Sequence, residues 1–194
     1  MGAPTGLGGF LAAGLGAEPL GFGAALPQGL HGAVLVVGSD PAPAPEPLSA
    51  MTGAAWNESA PNVIWQSVIA LQRSRAALLP DGGRIVVVTP TVGLTGASTL
   101  VAYTTACEGV RALAKSAARQ WAREAISVNL LAVPLELVAP GLAGLDSHLT
   151  PAAIGERPAL LDTVLRSAEF LLGSAADTLT GITIIADGGA VMAP

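Results

Sequence analysis

The sequence predicts an α/β layered domain built on a parallel β-sheet. Four short segments consist mainly of consecutive Ile, Val and Leu residues, a pattern typical of strands that are covered on both faces. These segments are residues 33–37, 84–89, 127–131 and 182–186. Helical patterns lie between them, and an alternation of strands and helices implies right-handed crossover connections.

Three helices are predicted in chain order. Residues 62–79 form the first, which ends before the turn Pro80-Asp-Gly-Gly83. Residues 103–124 form the second, and residues 159–172 form the last, which leads into the final strand. The proline-rich segment 41–47 is predicted to be a short loop with polyproline character. Apolar side chains of the second helix fall on one face: Ala106, Val110, Leu113, Ala117 and Trp121.

Composition limits the classes of protein that need to be considered. A chain of 194 residues with 51% apolar types predicts one domain that spans residues 1–194. Pro, Gly or charged residues interrupt every apolar stretch before the roughly 18 to 20 residues that a membrane span needs. The first basic residue is Arg73, and the single cysteine excludes an internal disulfide, so a cytoplasmic protein is expected. A net charge of −5 argues against a nucleic-acid partner.

Three motifs carry a resemblance to a known family. The segment Tyr103-Thr-Thr-Ala-Cys107 begins a helix rich in small residues, after Gly83-Arg-Ile-Val-Val-Val-Thr-Pro-Thr-Val-Gly93 and before Thr180-Gly-Ile-Thr-Ile-Ile-Ala-Asp-Gly-Gly189. From residue 33 onward, the chain resembles the short-chain dehydrogenase/reductase family, and within it the 3-oxoacyl-(acyl carrier protein) reductases. The resemblance implies a Rossmann-like, doubly wound parallel sheet whose N-terminal nucleotide-binding half is abridged.

The nucleotide-binding motif of the family has a weak counterpart at the start of the chain. Gly2-Ala-Pro-Thr-Gly6-Leu-Gly8 has the Gly-x-x-x-Gly-x-Gly spacing, so Gly2, Gly6 and Gly8 are the candidates for holding a dinucleotide pyrophosphate. A strand should lead into such a turn, and none is expected here because Gly2 is the second residue of the sequence. Because the segment is so rich in glycine, the same spacing arises as readily by chance.

The resemblance assigns the family's catalytic positions to residues of other types. The family uses a Tyr-x-x-x-Lys pair, a serine and a helix asparagine; the corresponding residues are Tyr103 with Cys107, Pro90, and Gln66. Proline has no hydroxyl to polarise a carbonyl group, although the neighbouring residues are threonines, Thr89 and Thr91. Tyr103 is therefore the one remnant of the catalytic set.

The cysteine at position 107 removes the lysine ammonium, which in the family lowers the tyrosine pKa and holds the nicotinamide ribose. Arg111 and Lys115 lie eight and 12 residues after Tyr103, roughly 12 and 18 Å along a helix, too far to replace it. Cys107 has no evident base beside it and is expected to pack as a small apolar residue. His31 and His148 are isolated in loop-like sequence, so no metal site is expected.

The resemblance is better preserved in the helices that form contacts between subunits in the family. The resemblance implies that the helices at 62–79 and 103–124 pack against another subunit, and Gly109, Ala112 and Ser116 would permit close helix approach. We therefore expect a non-catalytic subunit that is a structural or allosteric partner of a catalytically intact paralogue in a hetero-oligomer. Homo-oligomers are the other possible arrangement. NAD(P) is expected on the partner and not on this chain.

Two alternatives stay open. One is a divergent NAD(P)-dependent oxidoreductase in which Tyr103 acts with Thr89 or Thr91. The other is a ligand-binding sensor protein that keeps the cleft without the chemistry. Nothing in the sequence selects a substrate.

Overall fold

The computed structural model describes residues 6–38, 44–142 and 154–192. Within these ranges, four strands form one parallel sheet in the order β1-β2-β3-β4. The strands are Gly32–Val36 (β1), Gly83–Pro90 (β2), Ile126–Val133 (β3) and Thr183–Ile185 (β4). The helices are Gly6–Leu15 (α1), Gly53–Leu78 (α2), Val92–Thr95 (α3), Val101–Trp121 (α4), Leu135–Val138 (α5) and Arg157–Leu172 (α6). The α/β fold with a parallel sheet is confirmed.

Helices cover both faces of the sheet. Ile85 and Val87 point into a core shared with α2 and α4, whereas Val86 and Val88 point into a second core shared with α1, α5 and α6. All four side chains are fully buried. This two-sided burial explains why β2 is a continuous apolar run instead of an alternating one.

Helix α2 begins at Gly53, nine residues before the predicted start at residue 62. Its N-terminus is stabilised by Thr52, whose side chain accepts a hydrogen bond from the Ala55 backbone N–H at 3.1 Å. Pro61 lies inside the helix. Because proline removes a backbone donor and normally ends a helix, the sequence pattern placed the boundary beside it.

Helix α1 was not predicted at all. Its ten residues contain four glycines, which disfavour a helix in an isolated chain. Leu7 and Leu11 nevertheless lie one turn apart and are buried in the second core, where α1 contacts α5 and α6, so tertiary packing stabilises this helix. No helix in the described parts of the chain combines the length and apolarity needed to cross a membrane.

Candidate functional site

The carboxyl ends of β1, β2 and β3 meet at one edge of the sheet, and the first turns of α4 lie against this edge. Tyr103 in α4 is 1% exposed, and its hydroxyl donates a hydrogen bond to the Gly38 carbonyl oxygen at 2.9 Å. Gly38 follows β1 with φ of 82°, and a Cβ atom there would lie 2.7 Å from the Tyr103 hydroxyl oxygen. Glycine is required at this position both for its backbone conformation and for the close approach of the phenol.

Burial raises the pKa of the Tyr103 phenol far above its ordinary value, and the neighbouring Cys107 thiol acts in the same direction. Neither cause is a positive charge. Arg111, one of the two cations considered from the sequence, is held by Glu108, whose carboxylate accepts from the Arg111 Nε–H at 2.9 Å. Tyr103 is consequently a neutral phenol that acts as a hydrogen-bond donor to the backbone.

Cys107 lies one helical turn after Tyr103 and is 2% exposed. Burial raises the pKa of its thiol to about 12, with a further contribution from the Glu108 carboxylate. A Cβ atom added to Gly93 would lie 3.0 Å from the Cys107 Cβ, so the thiol-bearing residue packs tightly against the segment after β2. A neutral, enclosed thiol is a packing residue and not a nucleophile.

An apolar cluster fills the edge of the sheet around these two residues. Three leucines belong to it, each at most 4% exposed. The full membership is Val92, Ala97, Leu100, Tyr103, Cys107, Leu135, Ala139 and Leu142. Packed apolar side chains therefore surround Cys107, at the position where the resemblance locates the lysine.

Pro90 is the last residue of β2, where it lies in register with Val133 of β3. The backbone N–H of Thr91 donates to the Val133 carbonyl oxygen at 2.8 Å. Thr89 and Thr91 are 5% and 1% exposed, so both are enclosed at the end of the strand. Pro90 supplies no hydroxyl to this edge.

Gln66 on α2 is half-buried and lines a cavity of about 290 Å³ together with Tyr103. The segment before α2 closes one side of this cavity, because the Glu46 N–H donates to the Thr99 carbonyl oxygen at 2.7 Å. Pro90 and Cys107 are not among the residues that line it. The other polar residues that line the cavity were not predicted from the sequence. Asn62 lies one turn before Gln66 and hence on the same helical face, so it could have indicated that this face is polar. The missed residues are Glu46, Glu58, Ser59, Asn62 and Thr99.

Comparison with known proteins identifies the relatives of this arrangement. Residues 24–191 match the family model described as enoyl-(acyl carrier protein) reductase. The chain belongs to the short-chain dehydrogenase/reductase family. It is 33% identical over 121 residues to the uncharacterized short-chain type dehydrogenase/reductase y4vI of Sinorhizobium fredii, a match that covers 59% of this chain and 22% of that protein. The chain thus matches about a fifth of that relative's length.

Solved structures agree on the fold. A short-chain type dehydrogenase/reductase from Mycobacterium ulcerans is 26% identical with a TM-score of 0.69, covering 83% of this chain and 60% of that chain. The TT0495 protein of Thermus thermophilus is 23% identical with a TM-score of 0.72, covering 97% and 96%, and shows the fold alone. The fold is thus Rossmann-like, and the four strands of the described ranges fit an abridged nucleotide-binding half.

Two positions decide how well the residues present fit the family's dinucleotide. At the position of the lysine that holds the nicotinamide ribose, Cys107 offers a buried neutral thiol, which does not fit that role. Of the glycine candidates, Gly6 is the first residue of α1, with φ of 66°, and Gly8 lies within that helix. Gly2 lies outside the described residues. The assignment of these glycines to a pyrophosphate stays a prediction.

Two histidines were considered as metal ligands from the sequence. His31 is next to the start of β1, at the opposite end of the sheet, and His148 lies outside the described residues. The described ranges contain no group of three or more His, Cys, Asp or Glu side chains that could hold a metal ion. Asp187 is buried after β4, where its carboxylate accepts hydrogen bonds from the Gly189 and Val191 N–H groups at 2.9 and 2.8 Å.

Proposed function

We propose that this chain is a non-catalytic subunit of the short-chain dehydrogenase/reductase family, a structural or allosteric partner of a catalytically intact NAD(P)-dependent paralogue. The observation that carries the proposal is the Tyr103 hydroxyl. It is buried and already donates a hydrogen bond to the Gly38 carbonyl oxygen. A general acid must present its proton to a substrate and exchange it during turnover.

The charge environment supports the same proposal. A catalytic tyrosine needs its pKa lowered toward the working pH, and a nearby cation is the usual means. Around Tyr103, burial and the Cys107 thiol move the pKa in the opposite direction. Chemistry at this residue would require the apolar cluster to open and a cation to enter.

The cavity beside Gln66 favours a second candidate, a ligand-binding sensor. Its volume of about 290 Å³ is near the lower limit for small-molecule sites, and carboxylate, amide and hydroxyl groups line it. This function would use the cavity without any chemistry at Tyr103. Binding of a small polar molecule by the chain alone would favour it over the subunit proposal.

The first experiment is a titration with NADH and NADPH, followed by native mass measurement. The chain is titrated alone and after co-expression with the most similar relative that carries an intact Tyr-x-x-x-Lys motif. We expect no binding by the chain alone, and both binding and turnover in a mixed complex. Tight dinucleotide binding by the chain alone would instead support the divergent oxidoreductase.

A matched pair of tyrosine variants locates the chemistry within the mixed complex. Tyr103→Phe in this chain should leave kcat unchanged, because its hydroxyl serves the backbone. The same substitution at the motif tyrosine of the intact relative should lower kcat by about 10²-fold or more, the usual contribution of a general acid. A comparable loss from Tyr103→Phe would overturn the proposal.

A further inference from the structure

A cleft of about 530 Å³ lies beside β1, between α1, the last turn of α6 and residues 17–31. It is larger than the cavity beside Gln66, and its volume falls within the range of roughly 300 to 1,000 Å³ that small-molecule sites occupy. Among the described residues that line it, all but three are Leu, Val, Ala, Gly or Pro. The cleft beside β1 is therefore apolar.

One wall of the cleft is the segment that connects α1 to β1. Residues 17–31 contain no helix or strand, and connections of this length without their own secondary structure are uncommon in compact domains unless they serve a function. Contacts with α2 hold the segment in place. The Arg73 Nη1–H donates to the Phe22 carbonyl oxygen at 2.9 Å, and the Gly29 N–H donates to the Ala77 carbonyl oxygen at 3.0 Å. The wall is thus fixed across the cleft instead of filling it.

The apolar side chains that line the cleft are only partly covered. Leu11 of α1 and Val36 of β1 are 2% and 3% exposed and belong to the second core. Six larger apolar residues that also line the cleft are half-buried, namely Leu15, Leu20, Leu26, Leu30, Val34 and Leu172. An ordered water needs two to four polar partners, which such a lining does not supply. An apolar ligand would remove this surface from water, which is the dominant favourable term in association.

The three exceptions in the lining are Glu18, His31 and Glu169. The Glu169 carboxylate accepts from the Arg166 Nη1–H at 2.9 Å, so its charge is compensated. Glu18 is exposed and forms no ion pair within the described ranges. No Lys or Arg is found among the described lining residues. A carboxylate or phosphate on a ligand would face like charge at Glu18, whereas an ammonium group would be complementary to it.

The cleft is separate from the edge around Tyr103. A Cβ atom added to Gly32, the first residue of β1, would lie 2.8 Å from the Leu172 Cδ2, so this end of α6 lies at the amino end of the sheet. Tyr103 binds Gly38 beyond the other end of β1, and neither residue lines the cleft.

We propose that the cleft beside β1 binds a small amphiphilic amine, with its apolar body against the leucines and its ammonium group at Glu18. Walls on several sides enclose the space, so a narrow apolar chain fits it better than the surface of another protein. This inference goes beyond the proposed function, which concerns the edge and a partner subunit, and it does not depend on it.

A homologous series of alkylamines tests the apolar part of the site. The chain is titrated by calorimetry with hexylamine, heptylamine and octylamine, each below its micelle-forming concentration. Each added methylene should lower Kd by about fourfold, the effect of burying one CH₂ group. Native mass measurement should show one octylamine per chain.

Compounds with the same apolar chain test the polar part. Octylamine should bind about fivefold more tightly than octanol, the upper range for one exposed ion pair, and octanoate should bind most weakly. Glu18→Gln should remove the advantage of octylamine over octanol. Asp81→Asn, an exposed carboxylate in the turn before β2, is the charge control and should leave that advantage in place.

Two variants and a matched control locate the binding in the cleft. Ala12→Phe fills the cleft from α1 and should weaken octylamine binding by at least tenfold. Ala13→Phe places the same side chain on the exposed side of α1, away from the cleft, and should not affect binding. Leu26→Asn, in the segment without regular structure, should weaken binding by about fivefold. Circular dichroism checks that each variant is folded.

The inference is overturned if octylamine does not bind or binds at several sites per chain, or if octanoate binds as tightly as octylamine. Equal losses from Ala12→Phe and Ala13→Phe would place the binding elsewhere. Gly8 lines the cleft and is also a candidate for the pyrophosphate, so NADH is added to the octylamine complex. NADH should not displace octylamine, and competition would assign the cleft to a dinucleotide. The mixed-complex titration is a separate measurement, so each proposal can fail without the other.

Discussion

The edge of the sheet around Tyr103 and the outer surface of α2 and α4 are opposites in burial and in charge. At the edge, Tyr103, Cys107 and Leu135 are at most 2% exposed, and the tyrosine hydroxyl is satisfied by the backbone. On the outer surface, Trp65 is 64% exposed, and Lys115 and Arg119 extend into solvent.

An enzyme of this fold requires the opposite arrangement. An active site needs polar groups that are available to a substrate, whereas a helix surface that faces only water has no need of an exposed tryptophan. In this chain the edge around Tyr103 and Cys107 is packed like a core, with the cavity beside Gln66 on one side, whereas the exposed charged groups lie on the helical surface. The difference is what the proposed non-catalytic subunit would require, with the exposed residues serving association.

The largest effect on stability is expected when the family's lysine is restored at position 107. Cys107→Lys places an ammonium group and extra volume inside the apolar cluster, next to Gly93. Overpacking and burial of a charge should together lower the free energy of unfolding by on the order of 4 kcal/mol. Urea unfolding measures the loss.

Thr105→Lys is the matched control, because position 105 lies on the exposed side of the same helix. It should change the free energy of unfolding by no more than about 0.5 kcal/mol. If Cys107→Lys proved as mild as the control, the edge would have space and a countercharge for a lysine, and the divergent oxidoreductase would regain support.

A smaller effect is expected from the contact between Tyr103 and Gly38. Tyr103→Phe leaves the buried Gly38 carbonyl oxygen without its donor and should cost about 1–2 kcal/mol of unfolding free energy. Gly38→Ala combines the strain of φ 82° with a Cβ atom 2.7 Å from the phenol oxygen, and should cost about 2–3 kcal/mol.

The double variant Tyr103→Phe with Gly38→Ala, and a control variant, separate the backbone strain at position 38 from the contact between the added Cβ atom and the phenol. Because phenylalanine removes the oxygen that alanine would strike, the two substitutions should couple by at least about 0.5 kcal/mol. Gly16→Ala shares a positive φ of 61° but would meet no atom within 4 Å, so it should show strain alone. Additive losses for Tyr103 and Gly38 would mean that the phenol is not held against the backbone.

Regular elements with one dominant signal were predictable from the sequence. The run of β-branched residues at 84–89 lies within β2, which is one residue longer at each end, because burial on both faces demands that pattern. Helix α4 was also foreseen to within three residues at each end, since its apolar residues recur at helical spacing. Helix α1 escaped prediction because glycine content conceals a helix that only tertiary contacts stabilise.

The site was predictable in its residue types but not in its contacts. A cysteine and a proline at positions 107 and 90 can be read directly from the sequence, and the neutral state of both follows from chemistry. The partner of the Tyr103 hydroxyl lies 65 residues away at the end of another strand, so it depends on how the strands and α4 are placed. The distribution of exposure is also a tertiary property, and Trp65 and Trp121 differ in burial although both lie on amphipathic helices.

The smallest effect expected is a fall in the free energy of unfolding at alkaline pH, caused by the buried thiol of Cys107. Burial raises the pKa of Cys107 from 9.0 in the unfolded chain to about 12. Between these values the unfolded thiol ionises while the folded thiol keeps its proton, so the folded state binds more protons and the unfolding free energy falls as pH rises. The slope that Cys107 contributes is at most about 1.4 kcal/mol per pH unit. Cys107→Ala should remove this contribution to the slope above pH 9. Lys115→Ala, on the exposed surface, should leave it in place. Urea unfolding between pH 7 and pH 10 measures the slope for each variant. Equal slopes in native chain and Cys107→Ala would mean that water reaches the thiol, and that the edge is more open than its packing indicates.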